Sequence, residues 1–386
     1  MDILIAGVSA RGLVESAVRS GLHHRIVAVD YFGDFDLGLL CAHRSIKKDL
    51  NLPYDTHHLI TASSGLTWGA LAYVANLENY PSVVEVMAGG KLILGNSPAV
   101  LASVRDPARF FGFLSRAGIP APRIALGSQP IDLNSDPPWL RKPLRSGGGH
   151  GTAVHLPGDR LEADFFLQEY LDGLPCGAVF AADGADACLL GISEQLIGRN
   201  EFGADGFRYC GSILWPMGVG RVEWRDLVDR IRQIVRAVTR EFHLVGVNGI
   251  DFILKDKTVY PLEINPRYTA SMELVERAYG LNIFKTHLEA CQGSLPDFDL
   301  LAHPDADCFG KAIRFASQAL IFHDPRRWFD QGARDLPLEG EQIAQGKPVC
   351  TVLSRGPSRS ECYDRLTRAA AEIEQACLHA TIPAWQ

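Results

Sequence analysis

A basic excess, a long apolar run and paired cysteines are all missing from this 386-residue chain. Its 38 Lys and Arg stand against 45 Asp and Glu, for a net charge of −7. Bulk electrostatics therefore offer nothing to a polyanion, and no nucleic-acid partner is expected. No apolar run reaches the roughly 20 residues a helix needs to cross a bilayer. The opening MDILIAGVSARG reads as a strand entering a glycine-containing turn, not as a signal peptide. These features exclude a membrane partner and place the protein in the cytoplasm. The nine cysteines (41, 176, 188, 210, 291, 308, 350, 362 and 377) are odd in number and contain no C-x-x-C pair. Neither a disulfide framework nor a zinc site is expected of them. Internal repeats, low-complexity tracts, a P-loop and a G-x-G-x-x-G fingerprint are also lacking. The first turn, G-V-S-A-R-G, is thus not that of a dehydrogenase.

What is present is a hydrophobic fraction of 47% with 22% charged residues, which is globular, and enough length for two or three domains. ILIAGV (3–8), a helix from Arg11 to Ser20 and the strand RIVAVD ending at Asp30 make a β-α-β opening. Such an opening begins a doubly wound parallel sheet. Strand-like runs at 58–62 and 91–95 flank a helical pattern at 67–77, and the first domain is placed at 1–104. DPARFFGFLSRAGIP reads as a helix with proline in its first turn. A small β-rich lobe (105–170) follows, interrupted by the proline-rich surface tract QPIDLNSDPP. A larger lobe (171–300) carries the amphipathic helix 223–242, whose apolar stripe is Leu227, Val228, Ile231, Val235, Val238 and Phe242. Its arginines lie mostly outside the stripe and read as a solvated face. The segment 301–386 has strands near 311–316 and 348–353 and a closing helix at 359–379.

Three motifs carry chemistry. In RKPLRSGGGHGT (141–152), four glycines in five positions let the backbone aim N–H groups at an anion, and Lys142 adds a full charge. In FLQEYLDGLPCGAVF (166–180), a strand runs into a hinge whose free backbone groups can pair with a flat heterocycle. In the third, Asp251 on one strand faces PLEINPR on the next. Glu263 and Asn265 share a face by the two-residue strand period, and Asp251 can meet them there. Three hard oxygen donors make a magnesium site that phosphate oxygens would complete. Arg267, two residues on, can neutralise charge on a transferring phosphoryl group.

In this order the motifs resemble the ATP-grasp superfamily over about residues 105–292, with LPLEGEQIAQGKPVCTVLSRG similar to the small cap of the biotin carboxylase and purine-ligase branch. The resemblance implies an α/β fold. A doubly wound N-terminal domain precedes a two-lobed ATP-grasp domain (105–170 and 171–300), and a C-terminal β-rich cap (301–386) follows. It implies Lys142 on ATP phosphates and the loop Ser146, Gly147, Gly148, Gly149 to Gly151 over the β- and γ-phosphates. It implies Gln168, the backbone of Glu169 and the N–H of Leu171 at adenine. It implies Asp251, Glu263 and Asn265 on two magnesium ions, or manganese in their place, with Arg267 near the γ-phosphate. Relatives carry a basic residue where Pro107 stands, leaving Arg105 and Arg109 as candidates for that phosphate contact. Relatives also hold ribose with an acid where this chain has Pro175-Cys176-Gly177. The implied activity is an ADP-forming ligation of a carboxylate to an amine, both small molecules. A carboxylase or phosphotransferase and a non-catalytic ATP-binding protein are the alternatives. Relatives are often homodimers. EQLIG (194–198) and FRYCGSILWP (207–216) are similar to ligases of methanogens and of bacteria using pterin- and furan-type one-carbon carriers, which points to cofactor biosynthesis. The substrate is expected between the first domain and the 193–211 region, with Gly7–Gly12 and Asp30 as candidates.

Overall fold

A computed structural model describes residues 1–127, 138–214, 221–303 and 307–380. The expected surface tract at 129–138 falls almost wholly outside them. Five strands, β1 (Asp2–Ala6), β2 (Arg25–Asp30), β3 (Ala42–Ser45), β4 (Ala70–Tyr73) and β5 (Leu92–Leu94), form an all-parallel sheet in the order β3-β2-β1-β4-β5. Ile3, Leu4, Ile5 and Ala6 are fully buried, as both faces of such a sheet demand. The strand order reverses between β1 and β4, so the crevice at their C-terminal ends is the natural ligand site of this domain.

Two expected elements exchange identity here. Residues 58–62 belong to a helix, His58–Ser63, and the centre of 67–77 is strand β4. Leu59, Ala62 and Ser63 lie inward at helical spacing, whereas Ala70, Leu71, Ala72 and Tyr73 are all buried. A short run buried on both faces shows no two-residue alternation, and periodicity cannot distinguish it from a piece of helix.

Strands β6 (Ile124–Leu126), β7 (Trp139–Pro143), β8 (Ala153–His155) and β9 (Phe165–Glu169) form a small antiparallel sheet ordered β6-β9-β7-β8. The chain then enters a seven-stranded antiparallel sheet. Its strands are β10 (Leu174–Asp183), β11 (Ala187–Ile197), β12 (Tyr209–Leu214), β13 (Val245–Lys255), β14 (Thr258–Asn265) and β15 (Cys308–Phe315). After the short pair β16 (Leu320–Ile321) and β17 (Gln342–Ile343) comes β18 (Pro348–Gly356), and the order is β14-β13-β10-β11-β12-β15-β18. The C-terminal segment is therefore built onto the large sheet through β12–β15 pairing, and only β16–β17 stands apart. Helix Arg359–Ala380 packs over that extension, burying Cys362, Leu366, Ala370 and Ile373. The apolar stripe of helix Arg221–Phe242 is buried against the other end of the sheet, with Arg225, Arg230, Arg236 and Arg240 exposed. All nine cysteines are free. No helix among the described residues is long and apolar enough to cross a membrane.

The three regions are tied by buried ions rather than by apolar surface alone. Arg11 is 1% exposed and binds Glu273 at 3.0 Å and Asp335 at 2.9 Å, joining the first domain to the large lobe and the C-terminal segment. Burial works against the Arg11 charge, but these carboxylates hold its pKa above the ordinary value. Asp30 is equally committed. Its two oxygens accept from Ala10 N–H (3.1 Å) and Gly33 N–H (2.8 Å), pinning two turns together.

Burial pushes the Asp30 carboxyl up to about 6, against the pull of those two N–H groups and Lys48, with Asp335 adding to the rise. Asp34, also buried beside it, is raised as well. A carboxyl raised in the folded state favours folding fully below its unfolded value near 3.9, and that contribution fades as pH rises through about 6. For Asp30 alone the loss is roughly 3 kcal/mol at most. Glu273 acts oppositely: burial raises it, but Arg11 and Lys311 override this and hold it well below the ordinary value, so its contribution fades only as pH falls below the usual carboxylate range. The thermal midpoint is therefore expected to fall between pH 5 and 7, measured by circular dichroism. A midpoint that climbs over this range contradicts the assignment.

Candidate active site

The hairpin β13–β14 turns on Asp256 and Lys257, both with positive φ (48° and 64°), as a two-residue turn matched to strand twist requires. The turn sets the register from Lys255↔Thr258 to Phe252↔Pro261, and a bulge between Asp251 and Phe252 then shifts it so that Asp251 pairs with Glu263 and Gly249 with Asn265. Directly opposed residues share a face, so the three oxygen-bearing side chains converge. Asn265 Nδ2 donates to Asp251 Oδ2 at 2.9 Å, and Gln195 Nε2 on β11 donates to Asp251 Oδ1 at 2.8 Å. Burial and then the facing Glu263 charge push Asp251 up to about 7. Burial would raise Glu263 too, but Arg105, Lys142 and Arg267 hold it below its ordinary value. The donor set suits a divalent cation: two opposed carboxylates repel, and a hard ion with phosphate oxygens relieves that repulsion. No group of three or more His, Cys, Asp or Glu forms a metal site elsewhere among the described residues. The amide of Asn265 and a ligand's oxygens would have to complete this one.

Lys142, near the end of β7, donates to Gln168 Oε1 on β9 at 3.3 Å and lines a cleft with Arg105, Phe111, Phe166, Leu262 and Glu263. The Gln168 amide is thus engaged with the lysine. Glu169 ends β9, its side chain accepting from Arg123 N–H at 3.0 Å and its own N–H donating to Arg123 C=O at 2.9 Å. Leu171 follows in the link to β10, half-buried. Of the two arginine candidates, Arg105 reaches the site. Its Nη1 lies 3.0 Å from Glu263 Oε2 and its Nη2 3.2 Å from the carbonyl of Ser146. Arg109 is exposed on helix Pro107–Arg116 and is not among the residues lining the cleft. The helix begins at Asp106, whose carboxylate caps Ala108 and Arg109 N–H, and the helical periodicity turns position 109 away.

The glycine loop is seated against the large lobe. Ser146 Oγ donates to His150 C=O at 2.6 Å, and Tyr209 N–H on β12 donates to Gly148 C=O at 3.0 Å. A Cβ at Gly149 (φ +76°) would stand 1.9 Å from the Phe207 carbonyl oxygen, whereas one at Gly147 would meet nothing within 4 Å. Arg267 Nη2 reaches both Asn265 Oδ1 (3.1 Å) and Glu78 Oε1 (2.7 Å). Glu78, Asn79 and Gln195 were not singled out from sequence. The first two follow β4, which read as helix, so their place at a strand end was hidden. Only the uninterrupted ALAY run could have signalled it.

A strand-borne lysine, a glycine loop and a carboxylate–amide trio thus lie between a small and a large antiparallel sheet. Residues 104–271 of this chain match the family model described as ATP-grasp domain. An uncharacterized protein of Methanocaldococcus jannaschii is 20% identical over 373 residues, covering 92% of this chain and 88% of its own length. The carbamoyl phosphate synthase large chain of Thermoplasma acidophilum is 23% identical over 233 residues, 56% of this chain; the match spans only 22% of that relative's length. Among solved structures, L-amino acid ligase from Bacillus licheniformis shares the fold with a TM-score of 0.67 at 15% identity, covering 97% of this chain and 98% of its own. The biotin carboxylase domain of Hydrogenobacter thermophilus 2-oxoglutarate carboxylase, solved with MgADP and bicarbonate, aligns with a TM-score of 0.69 at 16% identity over 96% of this chain and 89% of its own.

Proposed function

We propose that this chain is an ATP- and magnesium-dependent carboxylate–amine ligase, forming an amide through an acyl phosphate with release of ADP and phosphate. The observation that carries the reading is the convergence of Asp251, Glu263 and Asn265 with Lys142, Arg105 and Arg267 beside a seated glycine loop. Magnesium held by the trio would neutralise phosphate oxygens during transfer. Lys142 supplies charge at the polyphosphate, and the loop's N–H groups surround the transferring end. Arg267 balances charge on the phosphoryl group as the substrate carboxylate attacks it. The incoming amine then attacks the acyl carbon, the C–N bond forming as the C–O bond to phosphate breaks and the amine gives up a proton, so no enzyme nucleophile is required. The fold-level likeness to an amino acid ligase and the resemblance of 194–198 and 207–216 favour an amino-acid or one-carbon cofactor substrate.

A carboxylase on the same fold is the second reading, favoured by the neighbour solved with bicarbonate. Release of phosphate from MgATP, followed across carboxylate–amine pairs and separately with bicarbonate, tests both. Amine-dependent phosphate release with an amide product supports ligation, and release that needs bicarbonate but no amine replaces it with carboxylation.

A further inference from the structure

The turn Leu77–Asn79, just beyond β4 in the first domain, touches the phosphoryl-transfer centre through two consecutive residues. Glu78 is 1% exposed, and among the described residues its side chain pairs with Arg267 alone, at 2.7 Å; Glu78 Oε2 accepts nothing there. A buried carboxylate with one oxygen unmatched serves stability poorly, since even a well-paired buried ion pair roughly breaks even against apolar packing. What it achieves is placement. Arg267 Nη1 bonds the Tyr268 carbonyl at 3.0 Å, and Nη2 is shared between Asn265 and Glu78, so the guanidinium has one orientation. The neighbouring Asn79 does the same for the other arginine. Its Oδ1 accepts from Arg105 Nε at 3.0 Å, and its Nδ2 donates to the Ser146 carbonyl at 3.2 Å, at the root of the glycine loop.

We propose that this turn is a positioning element for phosphoryl transfer: Glu78 sets Arg267 against Asn265, and Asn79 sets Arg105 against Glu263 and Ser146. The inference rests on the ATP-dependent reading above. Because the turn lies at the strand-end crevice where the sheet order reverses, a substrate in that crevice abuts the residues that aim both arginines. The first domain thereby contributes to the transfer step as well as to substrate binding.

The test compares full-length wild type, Glu78→Gln, Arg267→Met and the double variant by calorimetric titration with MgADP and with the magnesium complex of β,γ-imido-ATP. Glu78→Gln is expected to leave the MgADP Kd within about twofold but to weaken the imido analogue about tenfold, the scale of one charge-assisted contact. Arg267→Met should do the same, and the double variant should be no worse than Arg267→Met alone. Glu78→Gln indistinguishable from wild type, or weakened equally for both nucleotides with a lowered thermal midpoint, overturns the proposal. Wild type that binds neither nucleotide instead removes the ATP-dependent reading, and the inference falls with it.

Discussion

Glu263→Ala and Lys142→Ala are each expected to lower ATP cleavage by about a thousandfold or more, the scale of removing a group that meets charge only as it develops. Glu263 is the one residue of the trio that also contacts Arg105, and both Arg105 and Lys142 pull its pKa down. Its loss removes an anionic donor from the proposed metal site and releases the arginine that secures the loop. Stability should change little. Deleting one of two opposed carboxylates lets the Asp251 carboxyl fall from about 7, which offsets the lost ion pair. Among the described residues the Lys142 ammonium makes one long hydrogen bond, to Gln168, and a distant contact with the Phe166 ring, so its truncation leaves the fold intact. ADP release by coupled assay and thermal unfolding by circular dichroism, measured together, check this. Turnover near wild type in both variants would mean that the trio and the lysine serve something other than phosphoryl transfer.

The parts of this site legible in the sequence are those fixed by local rules. The two-residue strand period places Asn265 with Glu263, and a short turn brings the Asp251 strand alongside; the bulge between Asp251 and Phe252, which shifts the register by one residue and sets Asp251 opposite Glu263, has no signal in the local pattern. The helix Arg221–Phe242 showed itself through its 3.6-residue stripe. What stayed hidden depends on long-range placement. Glu78 lies 189 residues from Arg267, and Asn79 lies 67 from Ser146. At Asp30 the strand-end position is legible, but the Ala10 and Gly33 N–H groups that its two oxygens accept from are brought in by folding. Between Arg105 and Arg109, local pattern gives no ground for choice: Arg105 ends helix Pro98–Val104 and reaches Glu263, whereas Arg109 belongs to the next helix, Pro107–Arg116, on its exposed side.

Gly149→Ala is expected to cut turnover about a hundredfold, as a displacement of roughly 1 Å in catalytic geometry does, while Gly147→Ala stays within about threefold of wild type, as an unobstructed site should. Both lie in the same loop and lose the same flexibility, so their difference isolates seating from softness. At Gly149 a methyl group would meet the Phe207 carbonyl oxygen at 1.9 Å and its carbon at 2.7 Å, and these are backbone atoms that cannot turn aside. Its φ of +76° adds the strain of a left-handed L-residue, about 1–2 kcal/mol. The loop must therefore lift away from the strand, breaking the Tyr209 N–H to Gly148 C=O bond and moving the Ser146 carbonyl off Arg105 and Asn79. At Gly147 nothing lies within 4 Å and the backbone suits any residue. Steady-state ADP release, with limited proteolysis at 145–152 in the presence of MgADP, reads both effects. Equal losses in the two variants would show that flexibility, not the fit against Phe207, is what the loop requires.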